Sequence, residues 1–381
     1  MKAAKKKIFF SIFFTVLFIY ILWLAYNLIG FRSYQIPESN HSKLEAEGIF
    51  HIHTTFSDGH RSTEKIAQVA SKLSLDFIIL TDHDDKGMPN SSYLNQEGRI
   101  KNVLVITGTE FSVSRGHLVG LDFGSQRDHF PQKAENAAFK IKARGGFSVI
   151  AHPYSKVQWT WGEYAGYSGI EILNADQILM KSPLSLMVYL PLFAVKSECF
   201  LLKMISSPTE NLRKWDQLNR TYNVYGYYST DAHLFYKPLF QFLRLHVLLK
   251  KPLSPDFEEA KDQILQALRK GRFFCSIDAA AQSTGFRFWC EKEGRKFSQG
   301  SIVRCDNPLI LKIKAPFPFK KEMKLIHNGE EILNFEESDA SYPIEKPGTY
   351  RVEVYLREKT PLKNDIPWII SNPIFIKRKT S

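Results

Sequence analysis

Nine side chains that commonly bind divalent metal ions occur in short, separate segments of the sequence. The segments are HIH, SDG, TDHD, GTEF, GHLVG, IAHPY and TDAH, and the residues are His51, His53, Asp58, His83, Glu110, His117, His152, Asp231 and His233. Most of them lie at or just past the end of a short apolar run that is typical of a β-strand. Strand ends that converge on one point can build a metal cluster, so the pattern predicts such a site.

The spacing within two segments supports this prediction. Side chains two residues apart on a strand point to the same face, so His51 and His53 can bind one ion, and Asp231 and His233 repeat the arrangement. So many polar groups at strand ends would be costly to bury unless an ion compensated them. Asp82, beside His83, is expected to fix the tautomer of that imidazole.

Alternating strand and helix patterns surround these segments. Apolar positions recur with helical spacing in residues 63–74, and a second helix is predicted over 132–144. The intervening strands, such as DFIILTDH and FSVIAHPY, are near-continuous apolar runs of the kind found in buried parallel strands. The order predicts an α/β barrel or layer.

Beyond about residue 284 the pattern changes to short strands separated by turns. HNGEE is typical of a hairpin turn, and no segment with helical periodicity follows. We therefore predict a small β-sandwich domain over residues 284–381, after a catalytic domain over 48–283. A stem over 32–47 and an N-terminal segment over 1–31 precede them.

Residues 8–30 form a run of 23 uncharged and mostly apolar positions, which is long enough to span a bilayer as a helix. MKAAKKK precedes the run. The positive-inside rule then places the N-terminus in the cytoplasm and the rest of the chain outside it. A cleaved signal peptide is the alternative, but the run exceeds a usual signal core and no A-x-A-like site follows. We expect a single-pass signal-anchor in the cell membrane.

Residues 177–214 contain a second apolar stretch. Pro191, Lys196, Glu198 and Lys203 interrupt it, so a second membrane span is not expected. Two interpretations stay open. The stretch could form core helices under the barrel, or it could form a flap that touches the membrane beside the anchor.

The net charge of +12 is concentrated near the N-terminus, where Lys2, Lys5, Lys6, Lys7 and Arg32 precede the first acidic residue. The remaining basic excess is modest, and no compact basic run predicts stable nucleic-acid binding. The four cysteines contain no C-x-x-C pair and are not expected to bind metal. Cys290 and Cys305 could form a disulfide, although reduced core cysteines fit the spacing equally well.

The sequence resembles the polymerase and histidinol phosphatase (PHP) superfamily of metal-dependent phosphoesterases. The motifs that carry this resemblance are HIHTTFSDG, ILTDHD, GTEFSV, HLVGL, VIAHP and STDAH. The resemblance covers roughly residues 48–280. It implies a distorted seven-stranded (β/α) barrel with three divalent ions. By motif, the first ion would be bound by His51, His53, Glu110 and Asp231. The second would be bound by Glu110, His117 and His152, and the third by Asp58, His83 and His233.

The resemblance implies hydrolysis of a phosphate ester by a metal-activated hydroxide. Four residues, Glu110, Asp231, His233 and Arg115, are accordingly counted as catalytic. Arg115, just before His117, could bind a phosphate as a two-pronged donor, with a surface arginine as the alternative. Mixed imidazole and carboxylate ligands suit zinc, manganese or iron.

The sequence thus predicts a membrane-anchored phosphoesterase acting on a small phosphorylated substrate. A nucleotide, a sugar phosphate and a lipid headgroup all fit, and the oligomeric state is undetermined. Two alternatives remain. One is a metal-stabilised surface binding or assembly protein without catalysis, and the other is a metallohydrolase acting on a non-phosphate bond.

Overall fold

The computed structural model describes most of the chain. The described residues are 2–29, 31, 33–36, 42–89, 96–124, 129–154, 159–162, 166–180, 183–304 and 309–378. Cys305 therefore lies outside the described residues, and so does the disulfide considered for it. Cys199, Cys275 and Cys290 are buried.

Nine α-helices occur within the described residues. They are α1 Lys2–Leu28, α2 Thr63–Lys72, α3 Ala134–Ala143, α4 Ala175–Met180, α5 Pro183–Val195, α6 Ser197–Met204, α7 Thr209–Asn219, α8 Tyr236–Phe242 and α9 Phe257–Arg269. The helices predicted over 63–74 and 132–144 correspond to α2 and α3. Ile66 and Ala70 on the predicted apolar face of α2 are fully buried.

The strands fall into two consecutive groups. Those of the α/β region are β1 Glu45–Ile52, β2 Phe77–Leu80, β3 Gly98–Ile100, β4 Val103–Val113, β5 Gly116–Leu121, β6 Phe147–Ala151, β7 Gly169–Asn174, β8 Tyr225–Ser229, β9 Arg244–Leu248 and β10 Phe273–Ser276. Those of the C-terminal region are β11 Arg287–Lys292, β12 Arg295–Ser298, β13 Ile302–Arg304, β14 Leu309–Lys314, β15 Lys321–His327, β16 Glu330–Phe335, β17 Asp339–Ile344, β18 Gly348–Leu356, β19 Ile369–Ser371 and β20 Ile374–Lys377.

The main sheet curls back on itself. From β1 its strands follow the order β1-β2-β4-β5-β6-β7-β8. The chain after β8 then returns to β1, where the Thr230 amide donates to the Phe50 carbonyl over 3.1 Å and the His53 amide donates to the Ala232 carbonyl over 3.0 Å. The mixed α/β fold with a curled sheet agrees with the expectation from the sequence. A complete seven-stranded barrel stays a prediction.

The strands are not all parallel. β1, β2 and β4 pair in parallel, as do β6, β7 and β8, but β5 is antiparallel to both β4 and β6. Only Ser114 and Arg115 separate β4 from β5. A parallel crossover needs a dozen or more residues, so this connection can only form a hairpin. Apolar content alone did not reveal the reversal, because all these strands are buried.

The C-terminal region is rich in β-structure, as expected. β11, β12, β14 and β17 form a separate four-stranded sheet, whereas β18, β19 and β20 extend the main sheet through antiparallel pairing of β19 with β10. Asn328 and Gly329 both have positive φ in the turn between β15 and β16. This is the backbone that Asn-Gly favours in a tight hairpin, so the predicted turn is confirmed.

The segment after α1 packs directly on the α/β region. Phe31 and Ile36 are buried in the core. The Gln282 amide donates to the Tyr34 carbonyl over 2.8 Å. Only two residues lie between Leu28 at the end of α1 and Phe31. Three residue steps span at most about 10 Å, so α1 joins the folded region through a very short connection.

A buried ion-pair network surrounds His246 on β9. Its Nδ1 lies 2.9 Å from Glu45 Oε1, and its Nε2 lies 3.3 Å from Asp278 Oδ1. Arg244 and Arg287 pair with Glu47 and Glu45, respectively, so cations balance the carboxylates. Burial lowers the pKa of His246, but Asp278 and the neighbouring glutamates outweigh it and raise that pKa to about 10.

This network predicts a loss of stability in alkaline solution. The pKa of His246 is higher in the folded chain than the ordinary value of about 6.5, so its stabilisation is complete below pH 6.5 and is lost as the pH rises toward 10. His246→Gln should lower the free energy of unfolding at pH 6 by about 3–5 kcal/mol, because it leaves buried carboxylates without their partner. Urea unfolding of the full chain in detergent at several pH values measures both effects.

The matched control is His129→Gln, since His129 is exposed. It should unfold as the wild type does at every pH. Equal pH dependence of wild type and His246→Gln between pH 6.5 and 10 would contradict a charged His246.

Candidate metal centre

All nine candidate ligands lie at one edge of the curled sheet. His51 is the penultimate residue of β1, and His53 directly follows the strand. His83 forms an isolated bridge with Glu110 of β4. His117 lies near the start of β5, but because β5 is antiparallel its start pairs with Ala151 at the end of β6, beside His152. The reversed strand therefore brings His117 to the same edge as the ends of its neighbours.

Glu110 is the centre of the arrangement and is 1% exposed. Its Oε2 lies 3.2 Å from His51 Nε2, 3.1 Å from His53 Nε2 and 3.4 Å from His83 Nδ1. Its Oε1 faces the other way. That oxygen lies 3.0 Å from both His117 Nδ1 and His152 Nε2. One carboxylate thus has an oxygen for each of two neighbouring ion positions.

Asp231 completes the deepest group of ligands. Its Oδ1 lies 3.4 Å from His51 Nε2 and 3.3 Å from His53 Nε2. His51, His53, Glu110 and Asp231 are all buried, and their ligand atoms all lie within 4.8 Å of one another. This is the set that the sequence resemblance implies for the first ion.

Asp58 brings together the most accessible group. Its Oδ1 lies 3.3 Å from His233 Nε2 and from His53 Nδ1, and its Oδ2 lies 3.6 Å from His83 Nε2. The Asp58 side chain is 55% exposed. His233 Nδ1 is 2.9 Å from the Asp231 carbonyl oxygen, to which a protonated Nδ1 donates. Nε2 is then free to face Asp58 as a metal ligand.

The donor atoms fit divalent cations. His51 Nε2 and His53 Nε2 lie 3.1 Å apart, so two nitrogen lone pairs face one point between two carboxylates. His83 Nδ1 is buried and has no hydrogen-bond partner among the described residues. Imidazole and carboxylate ligands at such positions suit zinc, manganese or iron. A cation between them would satisfy the facing lone pairs and the unpartnered nitrogen.

Buried charges shift the pKa values of the candidate ligands His51 and Glu110. Burial lowers the pKa of His51, but the carboxylates of Asp231, Glu110 and Glu171 outweigh burial and hold that pKa well above its ordinary value. Burial raises the pKa of Glu110, but His51, His117 and His152 hold it well below its usual range. The carboxylates therefore require positive charge beside them, which either protonated imidazoles or metal cations can provide.

Glu171 on β7 is a functional residue that motif reasoning missed. It is fully buried, and its Oε1 lies 2.6 Å from His51 Nδ1. Its Oε2 accepts from the His152 amide over 2.7 Å and from Asn174 Nδ2 over 2.9 Å. Glu171 thus orients two metal ligands at once. A lone acid within the apolar run GIEILNA was the available signal, because a buried carboxylate needs partners.

Asp82 differs from the expectation placed on it. Its carboxylate accepts from the Thr54 amide over 2.7 Å, from Thr54 Oγ1 over 2.8 Å and from Ser57 Oγ over 2.5 Å. It therefore fixes the turn between His53 and Asp58, and no described contact joins it to the His83 ring. Sequence adjacency to His83 gave the wrong target, because consecutive side chains point in different directions.

Arg115 makes a salt bridge with Glu135 on α3. Its carbonyl oxygen accepts from Thr160 Oγ1 over 2.5 Å. The guanidinium already has a carboxylate partner, and both side chains are about one-third exposed. Phosphate binding by Arg115 stays a prediction, and it would require this salt bridge to open.

Three ligands have a strained backbone. The φ values of His51, His152 and Asp231 are +68°, +29° and +48°. Residues other than glycine rarely adopt such positive values. Such conformations cost of order 1–3 kcal/mol each and persist where the surrounding structure imposes them. Here they turn the side chains at three strand ends toward Glu110.

Comparisons with known proteins give distant similarities. No protein-family model matches the chain. An uncharacterized protein of Methanocaldococcus jannaschii is 27% identical over 142 residues, covering 33% of this chain and 80% of that protein. The sequence comparison therefore names no activity.

Two solved structures show the range of structural likeness. One is a two-domain protein from Bacteroides vulgatus described as containing a predicted PHP-like metal-dependent phosphoesterase, at 15% identity, with 90% of this chain and 98% of that chain covered and a TM-score of 0.43. The other is a sulfate-bound, metal-free amidohydrolase from Chromobacterium violaceum, at 15% identity, with 49% and 88% covered and a TM-score of 0.31. Both TM-scores are below 0.5, so neither likeness assigns a chemistry to this chain.

The position of Glu171 predicts a specific defect in metal binding. Glu171→Gln keeps the size of the side chain. The amide has only one oxygen, however, so it cannot accept hydrogen bonds at two oxygens as the carboxylate does. We expect metal affinity about 10–100-fold weaker than in the wild type, the usual effect of removing a partner that orients a ligand. Metal content after equilibrium dialysis against buffered Zn²⁺ or Mn²⁺ measures this affinity.

Glu258→Gln is the control, because Glu258 is an exposed glutamate in the first turn of α9. It should bind metal as the wild type does. Unchanged affinity in Glu171→Gln would show that Glu171 does not support the ligands.

Proposed function

We propose that the chain is a membrane-anchored, metal-dependent phosphoesterase of the PHP superfamily that hydrolyses a phosphate ester at a centre of three divalent ions. Three sets of ligands support the number of ions. The sets are His51, His53, Glu110 and Asp231; Glu110, His117 and His152; and Asp58, His83 and His233. Each set of ligand atoms lies together at the same sheet edge.

The proposed catalytic role rests on the difference in solvent exposure among the ligand side chains. His51, His53 and Glu110 are at most 1% exposed, whereas the side chains of His83, His117 and His233 are 27%, 34% and 28% exposed. A structural metal site is closed by its protein ligands, and a catalytic site keeps an open position. Here some ligands are buried, whereas others lie at an outer rim that solvent can reach. This arrangement favours catalysis over the alternative of a purely metal-stabilised binding protein.

Each residue of the site has a role that follows from its position. Divalent ions bound here would lower the pKa of a water molecule and neutralise charge on the phosphoryl oxygens. Glu110 would hold two ions at a fixed separation through its two oxygens. Glu171 holds the His51 ring and the His152 backbone in place. Asp58, His83 and His233 form the rim, where a phosphate group can approach from solvent.

The anchor supports a location at the cell membrane. Among the described residues, one helix is long and apolar enough to cross a bilayer, and no residue of its apolar part, residues 6–28, is fully buried. The lysines before it favour a cytoplasmic N-terminus and a catalytic region outside the cytoplasm. We propose a small phosphorylated molecule as substrate and no stable nucleic-acid partner.

Removing two buried ligands should abolish this activity. With Mn²⁺ or Zn²⁺ present, we expect the full chain in detergent to hydrolyse an aryl phosphate. His51→Ala with His53→Ala should lower kcat/KM by at least about 100-fold, since direct ligands matter more than their outer partners. Release of the aryl alcohol gives the rate.

His129→Ala, at an exposed histidine outside the cluster, is the matched control and should retain wild-type activity. Equal rates in the double variant and wild type would exclude the metal mechanism. Hydrolysis of an amide that vanadate does not inhibit, with no phosphatase activity, would instead favour the amidohydrolase alternative.

A further inference from the structure

The α5 helix carries an unusual surface. Its sequence, PLSLMVYLPLFAV, contains no charged residue. Leu184, Met187, Leu190 and Val195 are 74%, 73%, 54% and 72% exposed. A surface helix of a globular protein normally has a polar face toward water. The exposed side of α5 is apolar and therefore needs an apolar environment.

The membrane anchor contacts α5 directly. The Tyr20 hydroxyl donates to the Val188 carbonyl over 2.7 Å, and the Trp23 and Tyr189 rings stack with centroids 5.4 Å apart. Tyr20 and Trp23 lie about 12 and 8 Å from the end of α1 at Leu28, at 1.5 Å per residue. A hydrocarbon core is about 30 Å thick, so in a bilayer spanned by α1 these contacts would lie in the half nearest the folded region.

Lysine side chains surround the point where α1 leaves the bilayer. Lys203 and Lys359 line a small cavity with Tyr26, and Lys359 Nζ lies 5.9 Å from the Tyr26 ring centroid. Lys196 Nζ donates to the Phe31 carbonyl over 2.8 Å. Cationic side chains beside an interfacial aromatic ring match the level of lipid phosphate groups. The short connection to Phe31 keeps the folded region at that level.

The apolar surface continues to the rim of the metal centre. The Phe193 ring of α5 lies 4.7 Å from the ring of Phe235, which is two residues beyond His233. Leu234 and Phe235 are 47% and 44% exposed. Gln177 of α4 donates to the His152 carbonyl over 3.2 Å, so the segment leading to α5 also touches a ligand.

We propose that α5 lies in the lipid leaflet next to the catalytic region and that the substrate is a phosphate ester carried by a membrane lipid. This rests on the phosphoesterase function proposed above. The acyl chains of the substrate stay along α5, Leu234 and Phe235, while its phosphate reaches the rim at His233 and Asp58. Of the two interpretations of residues 177–214, the flap that touches the membrane fits α5. The core-helix interpretation fits α6, because its Cys199, Phe200, Leu201, Leu202 and Met204 side chains are buried.

The reaction is a hydrolysis and needs no further reactant. Water adds to phosphorus, and the phosphorus–oxygen bond to the lipid alcohol or headgroup breaks. One proton of the water goes to the leaving oxygen, and the other stays on the phosphate or is lost to solvent. The apolar path lets the lipid remain in the bilayer while its phosphate is attacked.

Depth of α5 in the membrane can be measured directly. The full chain carrying a fluorophore at Met187→Cys is reconstituted into phosphatidylcholine vesicles that contain lipids with nitroxide on the acyl chain. We expect strong quenching at this position. Phe139→Cys is the matched control, because Phe139 is 71% exposed on α3, which packs on β5 and β6. Equal, weak quenching at both positions would overturn the placement of α5.

Substrate class is tested with phosphatidic acid and phosphatidylglycerol in phosphatidylcholine vesicles, beside an aryl phosphate in solution. We expect the wild type to hydrolyse one of the two lipids. Leu184→Ser with Met187→Ser and Leu190→Ser should lower kcat/KM on that lipid about ten-fold or more relative to kcat/KM on the aryl phosphate. Phe139→Ser should leave the ratio of the two activities unchanged.

The two proposals fail in different ways. Hydrolysis of the aryl phosphate without hydrolysis of either lipid would overturn the lipid substrate and leave the phosphoesterase standing. Hydrolysis of none of the three with metal bound would overturn both. An unchanged ratio in the triple variant would show that α5 does not receive the substrate.

Discussion

The buried carboxylate of Glu110 lies at the centre of the candidate metal site and needs positive charge around it. Five imidazole rings approach its two oxygens within 3.0–3.4 Å, from residues on different strands or just beyond them. A carboxylate at 1% exposure cannot remain ionised without nearby positive charge. The curled sheet, the reversed strand β5 and the return of the chain after β8 to β1 all place ligands around this group.

Three candidate ligands have strained backbones, and buried hydrogen bonds keep them in place. His51, His152 and Asp231 have left-handed backbone conformations that are unfavourable for their side chains. Hydrogen bonds offset that cost, since Glu171 binds both the His51 ring and the His152 amide, and Asn174 Nδ2 donates to Asp231 over 3.2 Å. These hydrogen bonds orient the candidate ligands toward one another, as a metal site requires of its supporting residues.

A chain of contacts joins the N-terminal helix α1 to the candidate metal centre. α1 contacts α5, α5 contacts Phe235, and Phe235 lies two residues from His233. The link of two residues between Leu28 and Phe31 keeps the end of α1 close to the α/β region.

From the sequence alone one can predict the nine candidate ligands, the mixed α/β class of the fold, the apolar N-terminal helix and the change to β-structure near residue 284. Those features are local, because periodicity, turn residues and ligand spacing are properties of neighbouring positions. Tertiary structure decided the rest. The roles of Glu171, Asp82 and Arg115 depend on partners far away in the chain, such as His51 for Glu171, and pairing over such distances leaves no local pattern. The contact between α5 and α1 also joins residues far apart in the chain, and apolar composition alone could not specify it.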